Sequence, residues 1–398
     1  MTIRSAIARA VAQEDVGLSA TRLPSTTGVF ATRVVTRGVD VTINAGYKHS
    51  RVKEYFKEGR ALRIETVVND STDLGQEQGD WKGLPYLDEI TFRIVPNINT
   101  RAALLESGEV DMVLAPSLPD AMRLKETKGL KTVEGLGTQQ YGMTINGKSG
   151  PLSDKKVRQA IQCAVDKEGL IKTVMLGNAS AAKSVYFTPN VSGYFDTGAY
   201  PFDANKSKAL LDEAGWKLGA DGIREKDGKK LSFGLLTRRG SVAGDFEIAE
   251  LTQAMLKAVG MDMKIELMEA AAYLPRLNRA GEPDYDMTNA SNNTGSGDGE
   301  AIMETHYRSD AVPPRYYNYS WYSNPEVDKL TEQARSVPTL EERNKIYAQV
   351  QKIVVEDASW LILFDVKQIS VMKDDVQGVY LEPAGNNFPA KYAWRGKA

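Results

Sequence analysis

The sequence Tyr86-Leu-Asp-Glu-Ile-Thr-Phe-Arg-Ile-Val-Pro96 is followed closely by Asn99-Thr-Arg-Ala-Ala-Leu-Leu-Glu-Ser-Gly-Glu-Val-Asp-Met112, and the pattern that begins here extends to the C-terminus. Within it, Ser107–Ala115 is typical of a turn that leads into a buried strand, because a glycine and polar residues precede a short apolar run. From this region onward, helical and strand signals alternate along the chain. This alternation predicts an α/β protein.

Downstream segments show the periodicities of helices and strands. Ser153 is a candidate N-cap for a helix that places Val157, Ile161 and Ala164 on one face. Thr339-Leu-Glu-Glu342 is a capping box that opens a long helix. Four further elements are predicted: the helices Asn205–Trp216, closed by Gly215, and Phe246–Val259, ended by Gly260, the alternating strand Met261–Leu267, and the buried strand Ala358–Asp365.

Length and composition limit the class of protein. At 398 residues the chain is long enough for two or more domains. Hydrophobic residues at 42% and charged residues at 26% are ordinary for a globular protein, and a net charge of -2 gives no reason to expect nucleic acid as the main partner. The single cysteine, Cys163, excludes an internal disulfide and is predicted to be a small buried residue.

The sequence carries no signal for crossing or entering a membrane. No apolar run approaches the length of about 18 residues that a membrane helix requires. Met1–Asp15 carries charges inside any apolar core, which does not match a secretory signal. Made as written, the chain is therefore expected to remain in the cytoplasm.

Residues 1–79 form a separate compositional unit, predicted to be an α+β segment unrelated to the remainder. Its basic residues are spread throughout rather than clustered. Three elements are predicted in it: a strand pair around Gly38 within Val34–Asn44, a short amphipathic helix over Arg51–Glu58, and a strand over Arg60–Asn69.

Several blocks of the remaining chain, in order and spacing, resemble the extracytoplasmic solute-binding protein family 5 of ABC transporters. The blocks are Tyr86–Pro96, Asn99–Met112, Gly150–Lys167, Ala199–Trp216, Leu251–Gly260 and Tyr322–Asp328. The family binds oligopeptides, dipeptides, glutathione, nickel complexes and some sugars. The resemblance implies an α/β, periplasmic-binding-protein type II-like fold, in which two lobes close on a ligand about a hinge.

The resemblance also implies a function. The chain is expected to be the substrate-binding component of an ABC importer, which captures a peptide-like small solute and delivers it to the permease subunits. No enzymatic activity, no cofactor and no nucleic-acid partner are expected, and the protein is expected to be a monomer. Members of the family are located in the periplasm or the cell envelope. This location contrasts with the cytoplasmic one expected from the missing secretory signal.

Family members are longer on the N-terminal side, so the first lobe is expected to be incomplete here. The expected division is residues 80–140 as part of the first lobe, residues 141–365 as the second lobe, and residues 366–398 as a return to the first. The hinge is expected where the chain crosses between lobes, at Tyr141 and Gly142 and again at Phe364 and Asp365.

Arg238 and Arg239 follow the predicted strand Leu231–Leu236, whose end faces the cleft in the family. A guanidinium at this place can hold a ligand carboxylate through two parallel hydrogen bonds. The alternative is that both are surface arginines.

The loop after the following cleft strand contains Asn292, Asn293 and Asp298. In peptide-binding relatives this loop carries an acid that pairs with the ligand's α-amino group. That position falls on Gly295 or Ser296 here, and only Asp298 matches a later acidic position. Because an ammonium buried without its carboxylate is costly, the loop is expected to offer backbone N–H groups to a polar or anionic ligand. The alternative is a flexible solvent loop.

Trp321 and Tyr322 belong to an aromatic cluster that can pack on the apolar parts of a ligand or, alternatively, within an ordinary core. The two histidines, His49 and His306, are far apart in sequence, and no HExxH or CxxC spacing occurs, so no metal site is expected. There is no GxSxG, P-loop or GxGxxG motif, which argues against the corresponding enzymes.

Two alternatives remain open. One is a non-binding fusion or truncation product with a folded but orphaned second lobe, whose uncovered apolar surface would favour association. The other is nucleic-acid contact by residues 1–79, through arginines and lysines near Tyr47 and Tyr55. Acidic residues nearly balance the basic ones in that segment, which weakens its electrostatic attraction for nucleic acid.

Overall fold

The computed structural model of the chain describes residues 31–36, 39–44, 63–65, 90–95, 97–198, 200–384 and 393–396. The chain divides into two units, which we describe separately. The first unit comprises Met1–Thr100, Asp375–Val379 and Ala390–Ala398, and the second comprises Arg101–Asp374 and Tyr380–Pro389.

The first unit contains a small antiparallel sheet. Its strands are β1 (Ala31–Thr36), β2 (Val39–Asn44) and β3 (Arg63–Glu65). They pair in the order β2-β1-β3. The strand pair predicted around Gly38 is therefore confirmed, and β3 lies within the strand predicted over Arg60–Asn69. The helix predicted over Arg51–Glu58 lies outside the described residues.

The remaining strands are β4 (Met112–Leu114), β5 (Leu130–Ile145), β6 (Ala179–Ala181), β7 (Lys217–Leu218), β8 (Arg224–Lys226), β9 (Lys229–Lys230), β10 (Ser232–Thr237), β11 (Asp262–Leu267), β12 (Met287–Asn293), β13 (Trp360–Lys373), β14 (Val376–Gln377) and β15 (Trp394–Arg395). The helices are α1 (Ile98–Glu106), α2 (Leu118–Lys125), α3 (Lys155–Ala164), α4 (Lys167–Thr173), α5 (Ala204–Glu213), α6 (Asp245–Ala258), α7 (Ala270–Leu277), α8 (Gly299–Ile302), α9 (Pro325–Ser336) and α10 (Leu340–Asp357). A 3₁₀ turn, Gly150–Ser153, precedes α3, and α8 continues into a π-helical turn, Met303–Tyr307.

A large mixed sheet organises the second unit. Its strand order is β11-β10-β12-β5-β13-β4, and β6 pairs with β13 outside this path. Strand β10 runs parallel to β11 and β12, whereas β5 is antiparallel to β12 and β13, and β13 is antiparallel to β4 and β6. Strands β5 and β13, of 16 and 14 residues, pair along almost their whole lengths. The paired strands β5 and β13 are therefore the main structural element of the unit.

The side chains of β13 enter three hydrophobic cores. Leu361 and Leu363 join a core with α3, α4 and α6, whereas Trp360 and Ile362 join a second core with α8, α9 and α10. Alternation of side chains along a strand places these two cores on opposite faces of the sheet. Further along, Val371 packs in a third, smaller core with α1, α2 and β4. The two long strands therefore link the smaller core to the larger ones.

Two helix starts test the predicted caps. The Thr339 hydroxyl accepts a hydrogen bond from the backbone N–H of Glu342 at 3.3 Å and donates to the Glu342 carboxylate at 2.7 Å, so Thr339 is confirmed as the N-cap of α10. The prediction of Ser153 as the N-cap of α3 is wrong, because the carboxylate of Asp154 accepts from the backbone N–H of Lys156 at 2.8 Å. Ser153 lies in the preceding 3₁₀ turn, which moves the start of α3 by one residue.

Other predicted elements are present with shifted ends. Helices α5 and α6 form as expected and are followed by glycines with positive φ, Gly215 at +85° and Gly260 at +91°. Strand β13 continues past its predicted end at Asp365 to Lys373, because its pairing with β5 and β4 continues. Cys163 is fully buried, as predicted.

Candidate ligand-binding site

The residues predicted for the hinge lie side by side where β5 pairs with β13. Tyr141 is the register partner of Phe364, and Gly142 is the partner of Ile362. The register shifts between Ile362 and Phe364 and again between Asp365 and the next paired residue, so two irregularities bracket this short stretch. The rings of Tyr141 and Phe364 stack with their centres 5.6 Å apart. Irregular pairing of this kind bends and twists a strand locally.

Gly142 is required by the close approach of the two backbones. A Cβ placed on Gly142 would lie 2.4 Å from the carbonyl oxygen of Leu361. No side chain fits this space without separating β5 from β13.

Asp365 is the charged member of the predicted hinge set, and it is only 3% exposed. Its Oδ1 accepts a hydrogen bond from Nε2 of Gln140 at 2.7 Å. Burial raises the pKa of Asp365 to about 6, although the hydrogen bond from Gln140 acts in the opposite direction. The structure therefore holds a carboxylate inside the sheet where β5 and β13 change register.

The ends of β10 and β12 meet at one edge of the large sheet, because the two strands are parallel. The segment after β10 contains Arg238 and Arg239. The prediction that Asn292 and Asn293 lie in a loop is wrong, because they are the last residues of β12 and pair with β5, whereas Asp298 does lie in the segment beyond the strand. In open α/β sheets, ligands bind outside the carboxyl ends of parallel strands. We refer to Arg238, Tyr273 and Asn292 as the strand-end cluster.

Arg238 lies over an aromatic ring and has an unused donor. Its guanidinium carbon is 5.5 Å from the ring centre of Tyr273. Its Nε is buried and has no hydrogen-bond partner among the described residues. Leu236 lies beside Thr288 in the register of β10 with β12, so Arg238, two residues further on, leaves the sheet on the same face as Thr288.

Arg239 points elsewhere. It is exposed, with a guanidinium nitrogen 3.7 Å from a carboxylate oxygen of Glu247 and the guanidinium carbon 4.2 Å from the ring centre of Phe246. Its charge is therefore engaged by the first turn of α6, and the structure does not bring it together with Arg238.

Of the two predicted asparagines, one has its side chain fully hydrogen-bonded and the other has an unpaired donor. Asn293 donates from Nδ2 to the carbonyl oxygen of Ala384 at 2.9 Å, and its Oδ1 accepts from the hydroxyl of Thr138. Asn292 has a buried Nδ2 with no partner within the described part of the chain. Side chains alternate along β12, so Asn292 shares the face of Thr288 and of Arg238. Asn292 is therefore the asparagine with a free donor.

Asp298 has a structural role at the start of α8. Its carboxylate accepts from the backbone N–H of Glu300 at 3.0 Å, as an N-cap does. Its own backbone N–H donates to the hydroxyl of Ser296 at 3.2 Å. The segment that contains Asp298 is thus ordered by local hydrogen bonds.

The predicted aromatic pair divides between two cores. Trp321 donates from its indole N–H to the hydroxyl of Tyr285 at 3.3 Å and packs in the cluster that includes Tyr273. Tyr322 is 5% exposed, and its hydroxyl donates to Asp357 at 2.7 Å. Trp321 therefore contacts the packing around the strand-end cluster, whereas Tyr322 stabilises the core formed by α9 and α10.

Sequence reasoning missed Tyr273 and Asn289. The hydroxyl of Tyr273 donates to the carbonyl oxygen of Asn289 at 2.8 Å, and burial raises its pKa above the usual range. Asn289 donates from Nδ2 to the hydroxyl of Ser241 at 3.0 Å, and its side chain faces the hydroxyl of Tyr141 on the other face of β12. The run of polar residues within β12, Met-Thr-Asn-Ala-Ser-Asn-Asn, is the signal that could have pointed to Asn289.

The described residues include no group of three or more His, Cys, Asp or Glu side chains that could hold a metal ion. His306 is buried between Tyr186 and Tyr317, with ring centres 4.6 and 5.7 Å away, and burial lowers its pKa to about 3. None of the described helices combines the length and apolar character that crossing a membrane requires.

Comparison with known proteins identifies similar chains. The family model described as "Bacterial extracellular solute-binding proteins, family 5 Middle" matches residues 64–313. The oligopeptide-binding protein AppA of Bacillus subtilis (strain 168) is 28% identical over 356 residues, which cover 86% of this chain and 60% of AppA. The glutathione-binding protein GsiB of Escherichia coli (strain K12) is 26% identical over 308 residues, 77% of this chain and 58% of GsiB. The chain thus spans about three-fifths of the length of the curated relatives it matches.

Solved structures agree with this relationship. AppA from Bacillus subtilis in complex with a nonapeptide has a TM-score of 0.68 at 28% identity, covering 86% of this chain and 65% of that one. NikA from Brucella suis in complex with Fe(III)-EDTA has a TM-score of 0.69 at 26% identity, covering 79% of this chain and 64% of that one. The fold is therefore α/β of the periplasmic-binding-protein type II kind.

Proposed function

Because this chain belongs to the bacterial extracellular solute-binding proteins of family 5, whose model covers residues 64–313, we propose that it is the substrate-binding component of an ABC importer. It captures a peptide-like small solute at the strand-end cluster and delivers it to the permease subunits of the membrane. The family is one of binding proteins rather than enzymes. The place of action that this function requires is the periplasm or the cell envelope.

One observation carries the proposal: the strand-end cluster keeps buried polar atoms without partners. Nε of Arg238 and Nδ2 of Asn292 are both buried and unpaired among the described residues. A buried polar atom without a partner costs about 1–3 kcal/mol, and such atoms are few in folded proteins. A bound solute that hydrogen-bonds to them would offset this cost.

The donors favour a ligand that carries a carboxylate. A guanidinium binds a carboxylate through two charge-assisted hydrogen bonds, and the Arg238 side chain forms no ion pair within the described residues. A nonapeptide, glutathione and EDTA, named with the relatives AppA, GsiB and NikA, all contain carboxylates. In our proposal Arg238 holds this group and Asn292 donates to an oxygen next to it.

The proposed hinge is the bulged stretch of β5 and β13, with Tyr141, Gly142, Phe364 and Asp365. This stretch is continuous with the strand ends that line the candidate site on one side and with the smaller core on the other. A local change of twist there would move one part of the sheet relative to the other without breaking either core.

Thermal unfolding of the full chain against short peptides, glutathione and simple sugars tests the proposal. A ligand at about 100 times its dissociation constant should add roughly 2.7 kcal/mol to the free energy of unfolding. Absence of any shift, with cooperative unfolding, would instead support a folded lobe that binds nothing.

The two neighbouring arginines supply a matched control. Loss of charge-assisted hydrogen bonds of about 1.5–3 kcal/mol in Arg238→Gln should weaken binding by roughly 10- to 100-fold. Arg239→Gln removes an exposed charge that is paired with Glu247 and should leave the affinity within about twofold of the parent. Equal losses in both variants would argue against a role for Arg238.

A further inference from the structure

Asp365 occupies the middle of the irregular crossing between the two long strands. It pairs with Gln140 of β5 on one side and with Ser180 of β6 on the other. Register irregularities lie on both sides of the Phe364–Asp365 step. A side chain at this place can influence the geometry of the crossing, because pairing is interrupted immediately before and after it.

The donors around Asp365 are fully committed. Gln140 donates from Nε2 to Asp365 Oδ1 at 2.7 Å and to the carbonyl oxygen of Ser184 at 2.9 Å, while its Oε1 accepts from the backbone N–H of Tyr186. The amide of Gln140 is thereby held in one orientation, as a donor toward Asp365. The hydroxyl of Ser184 continues the network to Oε1 of Gln351 on α10 at 2.8 Å.

No cation bonds to Asp365 among the described residues. On its own strand, Lys367 donates to the carbonyl oxygen of Gly177 at 3.2 Å. In the segment that follows β6, the charge of Asp365 contributes to raising the pKa of Tyr194. Lys183 in the same segment forms an ion pair with Asp196 at 2.8 Å on the surface. From β5 and α10 the facing groups are the uncharged Gln140 and Gln351. An ionised Asp365 is therefore a buried charge that no described cation neutralises.

We propose that Asp365 is a proton-controlled element of the strand crossing: neutral in mildly acidic medium, it tightens the pairing of β5 with β13, and ionised at neutral pH, it loosens that pairing. The physical cause is the cost of keeping an unpaired carboxylate away from water. The irregular pairs beside Asp365 are the places where water can reach the charge when the strands part. Any effect on solute capture rests on the proposed function, whereas the effect on stability does not.

The sign follows from proton binding. Burial raises the pKa of Asp365 from 3.8 to about 6. The folded state then binds the proton more tightly than the unfolded state, so the contribution of Asp365 to stability increases as the pH falls from about 7 to about 4. A pKa shift of this size corresponds to a change of roughly 100-fold in the equilibrium constant for unfolding.

Asp365→Asn tests the proposal because it keeps an oxygen that accepts from Gln140 and removes the charge. Denaturant unfolding of the full chain and of the variant is compared between pH 4 and pH 7. The variant should be more stable at pH 7, and the ratio of the two unfolding constants should change by roughly 100-fold across this range. Asp196→Asn, which removes an exposed carboxylate close to the same network, should show no gain in stability at pH 7.

Parallel pH profiles for the parent and Asp365→Asn would overturn the proposal. The same two proteins are then titrated with the solute found by thermal unfolding, at pH 5 and pH 7. A pH-dependent affinity in the parent that disappears in the variant supports the coupling of the crossing to binding, and an identical pH dependence in both refutes that coupling. If no solute binds at either pH, the proposed function fails while the stability comparison still decides the role of Asp365.

Discussion

Substitution of Gly142 by alanine tests the close approach of β5 and β13 directly. The added Cβ would lie 2.4 Å from the carbonyl oxygen of Leu361, whereas real Cβ contacts essentially never fall below 3.0 Å. The strands must therefore part by at least 0.6 Å, the difference between these two distances. The obstacle is backbone in the centre of the sheet rather than the mobile end of a side chain, so it cannot move aside alone.

The expected cost of Gly142→Ala is about 2–3 kcal/mol, toward the upper end of the range for overpacked interiors. For a unit of this size, each kcal/mol lowers the midpoint of thermal unfolding by roughly 2–4 °C. The midpoint should therefore fall by about 4–12 °C, and urea unfolding should show a lower midpoint concentration with an unchanged slope.

Gly135 provides the matched control in the same strand. A Cβ on Gly135 would meet only the side-chain methyl of Leu381 at 3.5 Å, an ordinary contact. Gly135→Ala should be neutral or stabilising by a few tenths of a kcal/mol, since alanine restricts the unfolded chain more than glycine does. Equal unfolding midpoints for the two variants would refute the close approach at Gly142 and the argument that this position needs a glycine.

Two further predictions concern a helix cap and a buried charge. Asp154→Ala should lower the free energy of unfolding by about 0.5–2 kcal/mol because the cap of α3 is lost, whereas Ser153→Ala should change it by less than about 0.5 kcal/mol. Chemical denaturation of both variants decides between the two caps. A larger loss of stability in Ser153→Ala would contradict the structure. Lys167 is 7% exposed with an unpaired Nζ among the described residues, and burial lowers its pKa to about 8. The unfolded state binds the Lys167 proton more tightly, so the contribution of Lys167 to stability should rise between about pH 8 and pH 10. Lys167→Met should be about 2–3 kcal/mol more stable at pH 7 and lack this contribution; an unchanged alkaline slope in the variant would contradict the assignment.

Local patterns in the sequence predicted much of the second unit. Helices α5 and α6 and strand β11 follow from apolar periodicity and from the glycines that end the helices. These signals are local, because caps and turns depend on a few neighbouring residues. The misplaced cap at Ser153 shows the limit of such signals, since a 3₁₀ turn and the first turn of a helix use the same kinds of residues.

The candidate site could be predicted only in part. Arg238 and Asn292 were predicted because each was expected to follow a strand that faces the cleft in the family, but nothing in the local sequence distinguishes Arg238 from Arg239. The difference arises from tertiary neighbours: Glu247 pairs with Arg239, whereas Tyr273 on α7 lies beneath Arg238. Such contacts join distant segments, and a single sequence carries no record of them.

The network around Asp365 was beyond prediction for the same reason. Its members come from four separate segments, with Gln140 in β5, Ser184 after β6, Gln351 in α10 and Asp365 in β13. In the sequence, Asp365 ends an apolar run and looks like the polar residue that closes a buried strand. Only the continuation of β13 to Lys373 places this carboxylate inside the sheet.

Unpaired buried atoms alone do not identify a binding site, as Lys167 shows. Its Nζ is buried and unpaired among the described residues in the same way as Nε of Arg238, yet it lies on α4, whose buried face packs in the core with α3 and α6 rather than at the ends of strands. Neutralising Lys167 is expected to stabilise the fold, whereas Arg238 and Asn292 lie at the strand ends where we propose that the solute binds. The combination of unpaired donors, an adjacent aromatic ring and the carboxyl ends of parallel strands is therefore what distinguishes the strand-end cluster. A solute that stabilises the parent chain but not Arg238→Gln, and stabilises Lys167→Met as strongly as the parent, would separate the two kinds of unpaired group by experiment.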